Sequence, residues 1–276
     1  MPEKRRIEIT LWGVRGSIPT PVAENLGYGG NTSCVSLCYG DSPLMVLDGG
    51  SGLRALGNMV NAQGLAKIEL DLLLTHFHWD HIQGIPFFAP LFRPNCAMRF
   101  HSIESPDRLK QILQEQMRPP YFPVQMPAVQ ADIRYLQADK KGFELNGLRI
   151  RPFRLTHPDG AHGYRIESPD AVIVYATDHE HGDAKTDAGL REYARGADLL
   201  IYDAQYTPEE YTARHGWGHS TWLEATRVAA DASVKQLALF HHDPLHDDAA
   251  LDRIVEAARR EFPATIAAKE RWSASY

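Results

Sequence analysis

The stretch Thr75-His76-Phe77-His78-Trp79-Asp80-His81 constrains this chain more than any other. Four metal-ligand side chains fall within six positions there, directly after the apolar run 70–74. Residues 68–74 read as a buried strand, so the four groups stand at a strand end, where His81 can open a short rigid helix. Imidazole and carboxylate suit zinc, iron or manganese, and four of them in one turn can supply part of two adjacent metal sites. A dinuclear centre is the leading expectation, and a solvated His-rich turn is the competing one. Three further isolated ligand types stand after strand-like runs: His157 after 148–156, Asp178 after 172–177 and His241 after 236–240.

Along the chain, apolar patterning gives strands at 7–12, 34–39, 44–47, 98–101, 133–136, 163–167, 198–202 and 264–268. Helices are expected at 51–62, 106–117, 187–195, 221–232 and 248–262, with Thr221 and Glu224 as a capping box and Asp247 or Asp248 as a cap. Asn146-Gly147 between apolar runs signals a hairpin. Four prolines within 118–127 forbid regular structure, so this segment is expected to be extended. It either walls a substrate pocket with Tyr121 and Phe122, forms a homodimer contact, or simply connects. The loops 13–21 and 27–33 are rich in glycine and proline but match no phosphate-binding fingerprint. His101 reads as structural.

With 43% hydrophobic residues among 276, the chain can bury a sizeable core. A net charge of -6 argues against a globally basic nucleic-acid surface. No apolar run reaches the ~18 residues of a membrane span. Residues 1–6 are charged and lead into a strand, which is not the pattern of a secretory signal. The odd set Cys34, Cys38 and Cys96 gives no disulfide framework, reads as small hydrophobes, and points to a reducing cytoplasm.

In His76, His78, Asp80 and His81 of the 75–81 motif, with the later His157, Asp178 and the run Leu239-Phe240-His241-His242-Asp243-Pro244, the chain resembles the metallo-β-lactamase-fold hydrolases. Within them it is most similar to the branch holding ribonuclease Z, arylsulfatase-like enzymes and cyclic-nucleotide phosphodiesterases. The resemblance implies an α+β fold: one four-layer αββα sandwich domain spanning 1–276, its halves meeting near residue 140. It implies one metal on His76, His78 and His157, a second on Asp80, His81 and His241, and Asp178 bridging them. His242 is the alternative to His241. Asp48 is expected to orient a ligand, and Arg15, Asn31 and Ser33 to border the site, with turn formation as the alternative role of these three.

Two divalent ions, zinc first and manganese or iron next, can acidify a water and stabilise attacking and leaving oxygens in a hydrolysis. The motif Gly216-Trp217-Gly218-His219-Ser220-Thr221 resembles one in the phosphodiesterases and ribonuclease Z, where the histidine contacts the scissile phosphate and protonates the leaving oxygen. A helix-capping turn is its alternative. His219 and Asp80 are thus the catalytic candidates. The expected function is a phosphodiesterase for a small, cyclic nucleotide. A transfer-RNA 3′-processing endonuclease and a lactonase or thioesterase are the alternatives, and nucleic acid is not the favoured partner.

Overall fold

The computed structural model describes residues 5–276, so residues 1–4 of the segment read above as a non-signal lie outside the described residues. The first half supplies β1 (Ile7–Gly13), β2 (Cys34–Tyr39), β3 (Leu44–Leu47), α1 (Gly52–Ala62), β4 (Ile68–Leu73), α2 (Trp79–Ile82), β5 (Cys96–Ser102), α3 (Pro106–Glu115) and β6 (Asp132–Gln137). The second supplies β7 (Phe143–Leu145), β8 (Leu148–Leu155), β9 (Ala161–Glu167), β10 (Val172–Ala176), α4 (Ala184–Ala194) and β11 (Leu199–Asp203). It continues through α5 (Pro208–Tyr211), α6 (Trp222–Asp231), β12 (Leu237–Phe240), α7 (Asp248–Glu261), β13 (Thr265–Ala267) and β14 (Ser273–Ser275). No described helix is long and apolar enough to cross a membrane.

The strands form two seven-stranded sheets, ordered β14-β1-β2-β3-β4-β5-β6 and β13-β12-β11-β10-β9-β8-β7. Alternation decides which faces meet. Ile7, Ile9 and Leu11 of β1 pack with Ile150, Ile166, Ile173 and Ile201 of the other sheet in one core between the sheets. The outer face of the first sheet buries Leu70, Leu72 and Phe100 against Leu53, Leu56 and Leu109 of its helices. On the other outer face, Val174, Leu200 and Leu239 pack with Leu190, Val228 and Leu251. The result is the αββα sandwich that the resemblance implied.

Strand polarity places the site. β3 and β4 run parallel, and so do β10, β11 and β12. β8 and β10 each pair antiparallel with β9, so they too run in one direction. The carboxyl ends of each set of strands therefore lie at a common edge of their sheet, which is where ligands bind in such folds.

Several local expectations change. β14 was not expected, yet it pairs with β1 and seats Trp272, Ala274 and Tyr276 against the inner core. α4 starts earlier, capped by Asp183. Thr221 accepts from the Glu224 N–H at 3.1 Å, but the Glu224 carboxylate turns to Arg191 at 2.7 Å, so this box is only half formed. The complete box is Thr207 with Glu210, ahead of α5. Asp247 caps α7, while Asp248 instead accepts from the N–H groups of Gly27 and Tyr28.

One buried polar cluster ties the sheets together. Asp71 accepts from Arg99 Nε at 2.7 Å and Nη2 at 2.6 Å, and from His101 Nε2 at 2.8 Å. Asn146, in the turn between β7 and β8, donates to it at 3.0 Å. Burial pushes the Asp71 carboxyl up, but these partners hold it below the usual carboxylate range. A depressed carboxyl contributes stability that is present above its unfolded value of about 3.9 and lost as pH falls through the folded one. Asp71→Ala should lower unfolding free energy by about 3 kcal/mol at pH 7, with a smaller deficit in acid. Urea titrations at both pH values check this, and an equal deficit at both would contradict the charge argument.

Candidate metal centre

At the shared edge the donors gather in two sets. His76, His78 and His157 form one, and Asp80, His81, Asp178 and His241 the other, with the ligand atoms of each within 4.8 Å of one another. Asp178 lies between them. Its Oδ2 is 3.0 Å from His81 Nε2, 3.2 Å from His76 Nε2 and 3.8 Å from His157 Nε2, and its Oδ1 is 3.1 Å from His241 Nε2. Asp80 Oδ2 stands 3.1 Å from His241 Nε2 and accepts from the Ser17 N–H at 2.8 Å.

Backbone shape makes the convergence possible. Asp48, Asp178 and His241 each have left-handed φ, of 59°, 56° and 60°, just beyond β3, β10 and β12. That conformation costs a non-glycine residue on the order of 1–3 kcal/mol, so the surrounding structure must impose it. Gly16 packs on His241, whose Nδ1 a Cβ at that position would overlap.

In His76, His81, His157 and His241 the ring nitrogens facing away from the cluster are tied. His81 Nδ1 meets Asp48 Oδ2 at 2.8 Å, and Asp48 is itself held by the Tyr175 hydroxyl at 3.0 Å and the Thr75 N–H at 2.9 Å. His157 Nδ1 meets Gly218 O, and His241 Nδ1 meets Gln205 Oε1, both at 2.8 Å. His76 Nδ1 meets Thr75 Oγ1 at 2.9 Å. Such contacts fix the tautomer and leave Nε2 with its lone pair inward. Inside, His157 Nε2 is 3.0 Å from His78 Nδ1, and His81 Nε2 is 3.4 Å from His241 Nε2. His76 Nε2 is buried without a well-directed hydrogen bond. Lone pairs crowded in this way around a carboxylate suit a divalent cation.

The electrostatics agree. Burial pushes Asp178 and Asp80 up, but the imidazoles of His81 and His241 hold both well below the ordinary carboxylate range. Burial pulls His81 down, but Asp178, Asp80 and Asp48 raise it well above the ordinary value. His157 is lowered to about 4 by burial.

Beside this cluster, His219 Nδ1 contacts Asp203 Oδ2 at 2.8 Å, and its ring centre lies 4.9 Å from that of His241 and 5.2 Å from that of His157. Burial lowers its pKa, but Asp203 brings it up to about 9. Asp203 and His219 also form a four-membered group with Asp178 and His241. The Asp203 carboxylate is nonetheless already occupied, accepting from the N–H groups of His179, Gln205 and Ser220.

Other candidates stand apart. His242 is turned away, its Nε2 against Ala268 O at 2.9 Å, and burial lowers it to about 3. Arg15 is wholly buried and braces Gly29 O, Asp243 O and His246 O. Asn31 binds Glu270 and Ser51, and Ser33 is buried. These three shape loops without joining either set of donors. None of residues 118–127 lines the cavity beside His76 and His78. The cavity beside His76 and His78, about 620 Å³, is lined by Arg108, Ile112 and Glu115 of α3. Residues 118 and 125–127 line a second cavity together with Lys110, Gln114 and Glu115 of that helix. Phe122 meets Phe87.

Sequence reading missed Asp203, Gln205 and Ser17. Asp203 had a visible signal, since it ends an apolar run as Asp48 and Asp178 do. Gln205 and the Ser17 N–H had none. A ligating imidazole must be neutral, so a metal held by these histidines competes with protons for their nitrogens. Zinc added to the metal-free protein at pH 7 should release protons and bind more tightly as pH rises. Calorimetry in buffers of differing ionisation enthalpy reads this directly, and identical heats would contradict it.

A family model described as a β-lactamase superfamily domain matches residues 46–242. The ribonuclease Z of Thermoplasma acidophilum is 25% identical over 312 aligned positions, covering 96% of this chain and 94% of that protein. The metallo-β-lactamase-fold protein YhfI of Bacillus subtilis superposes with a TM-score of 0.75 at 21% identity, covering 99% of this chain and 100% of that one. A diphosphatase of the PhnP family superposes at 0.71, also with 21% identity, covering 98% and 97%. The chain belongs to the β-lactamase superfamily, as a metallo-β-lactamase-fold hydrolase that resembles ribonuclease Z.

Proposed function

We propose that this hydrolase is a phosphodiesterase for a small nucleotide, a cyclic mononucleotide first. His76, His78 and His157 would hold one divalent ion and Asp80, His81 and His241 a second, with Asp178 shared; zinc is the first choice, then manganese or iron. When bound, such a pair supplies Lewis acidity and an acidified water. The observation that carries the reading is the His219–Asp203 pair beside the ligand cluster. Asp203 engages Nδ1 and keeps the ring protonated at neutral pH, so Nε2 can donate to a departing oxygen. A poor leaving group such as a nucleoside alkoxide needs that proton. A lactone or thioester leaves the pair less used.

The cavity beside His76 and His78, about 620 Å³, is within the range of small-ligand sites. The second reading, processing of transfer-RNA 3′ ends, is favoured by the ribonuclease Z relatives. Against it, the Thermoplasma protein aligns over 312 positions with a chain of only 276 residues, so it carries segments without counterpart here. The long connections 14–33 and 116–131 hold one arginine each, Arg15 and Arg118, so neither offers a basic arm for folded RNA.

His219→Ala should slow cyclic-nucleotide hydrolysis about 10²–10⁴-fold while barely affecting bis-p-nitrophenyl phosphate, whose leaving group departs unprotonated. Equal losses on both substrates, or loss of zinc, would remove His219 from the acid role. Precursor transfer RNA assayed alongside decides between the two readings. Zinc reconstitution should give two ions per chain and fewer in Asp178→Ala. A parent stoichiometry of one, unchanged in that variant, would rule out the shared carboxylate.

A further inference from the structure

Glu180 lies two residues beyond Asp178, and its backbone N–H donates to Thr156 O at 2.7 Å, next to His157. Its carboxylate spans a loop of the following segment. One oxygen accepts from the Gly216 N–H at 2.7 Å and the Tyr211 hydroxyl at 3.0 Å, and the other accepts from the Gly218 N–H at 2.7 Å. Gly216 and Gly218 have φ of 84° and 89°, a shape in which alternate N–H groups can meet one acceptor. The same loop serves the site twice. Gly218 O accepts from His157 Nδ1 at 2.8 Å, and a Cβ on Gly218 would overlap that nitrogen. The next residue is His219, whose Nδ1 meets Asp203.

We propose that Glu180 is a positioning residue that sets His157 and His219 together through this glycine loop, an inference that rests on the roles proposed above for both. Carboxylate bonds to backbone N–H groups are charge-assisted and roughly twice as strong as neutral ones. The glycines have no side chains with which to hold the loop, so the carboxylate clamps it. Without that clamp, Gly218 O drifts from His157 and the His219 ring loses its approach to the leaving oxygen. A misplacement of about 1 Å is enough to cost ~10²-fold in rate.

The test uses the full chain, Glu180→Ala, Glu180→Gln and Tyr211→Phe, with two readouts. One is zinc affinity by chelator competition, and the other is the kcat ratio of a cyclic nucleotide to bis-p-nitrophenyl phosphate. Glu180→Ala should weaken zinc about 10–100-fold, as loss of a contact behind a ligand does, and lower the ratio by ~10-fold or more. Glu180→Gln, with a single acceptor oxygen, should fall between Ala and the parent. Tyr211→Phe should shift both readouts a few fold in the same direction. If Glu180→Ala does not fold, the other two variants decide in the same way. Parent-like zinc affinity and ratio in folded variants would overturn the proposal, and weaker zinc with an unchanged ratio would overturn its link to His219. A parent inactive on cyclic nucleotides would instead defeat the phosphodiesterase reading, and zinc affinity would still test Glu180.

Discussion

Asp178 holds a negative charge at 1% exposure among four imidazoles, and the arrangement of the site follows from compensating it. A carboxylate removed from water costs several kcal/mol unless it is paired and hydrogen-bonded. His81 stands between Asp178, Asp80 and Asp48, with its Nδ1 against Asp48 and its Nε2 near the other two. A divalent ion held there would compensate the carboxylates and would compete with protons for the imidazole nitrogens. The donors are thus preorganised for cation binding, and metal affinity is linked to pH through the same buried charges.

Buried carboxylates recur at strand ends with different duties, and their partners tell the duties apart. Asp48 accepts from His81, Tyr175 and the Thr75 N–H, and so fixes a donor. Asp203 accepts from three backbone N–H groups and His219, and so fixes a proton-carrying ring. Asp178 meets only imidazole nitrogens and the Thr177 hydroxyl, which leaves its oxygens available to a cation. One residue type at one place in the strand thus reads as organiser or ligand according to how many donors already occupy its lone pairs. Substrate choice lies in another layer. The donor cluster suits a divalent cation, while the proposed preference for a small phosphodiester is supported by the His219–Asp203 pair and by the cavity beside His76 and His78.

Much of this was legible in the chain. Apolar alternation in β1 and β4 and a continuous apolar run in β11 gave the strands, and the donors crowded into 75–81 marked the site. His157, Asp178 and His241 could be picked out as strand-end donors, though only resemblance joined them. β14 escaped because three residues with two serines make a weak strand signal, even though Trp272, Ala274 and Tyr276 alternate. The half-formed cap at Thr221 misled because Arg191, thirty-three residues away, competes for the Glu224 carboxylate.

The sequence by itself determined most of the secondary structure, the mixed α and β class and the identity of the ligand-type residues, because these depend on local spacing. Only the tertiary structure decided which nitrogens face inward, that Asp203 belongs to His219 and Gln205 to His241, and that 118–127 does not line the cavity at His76. Those outcomes depend on strands of two sheets ending at one place. Contacts between residues more than a hundred positions apart, such as Tyr175 with Asp48 and His241 with Asp80, leave no trace in spacing along the chain.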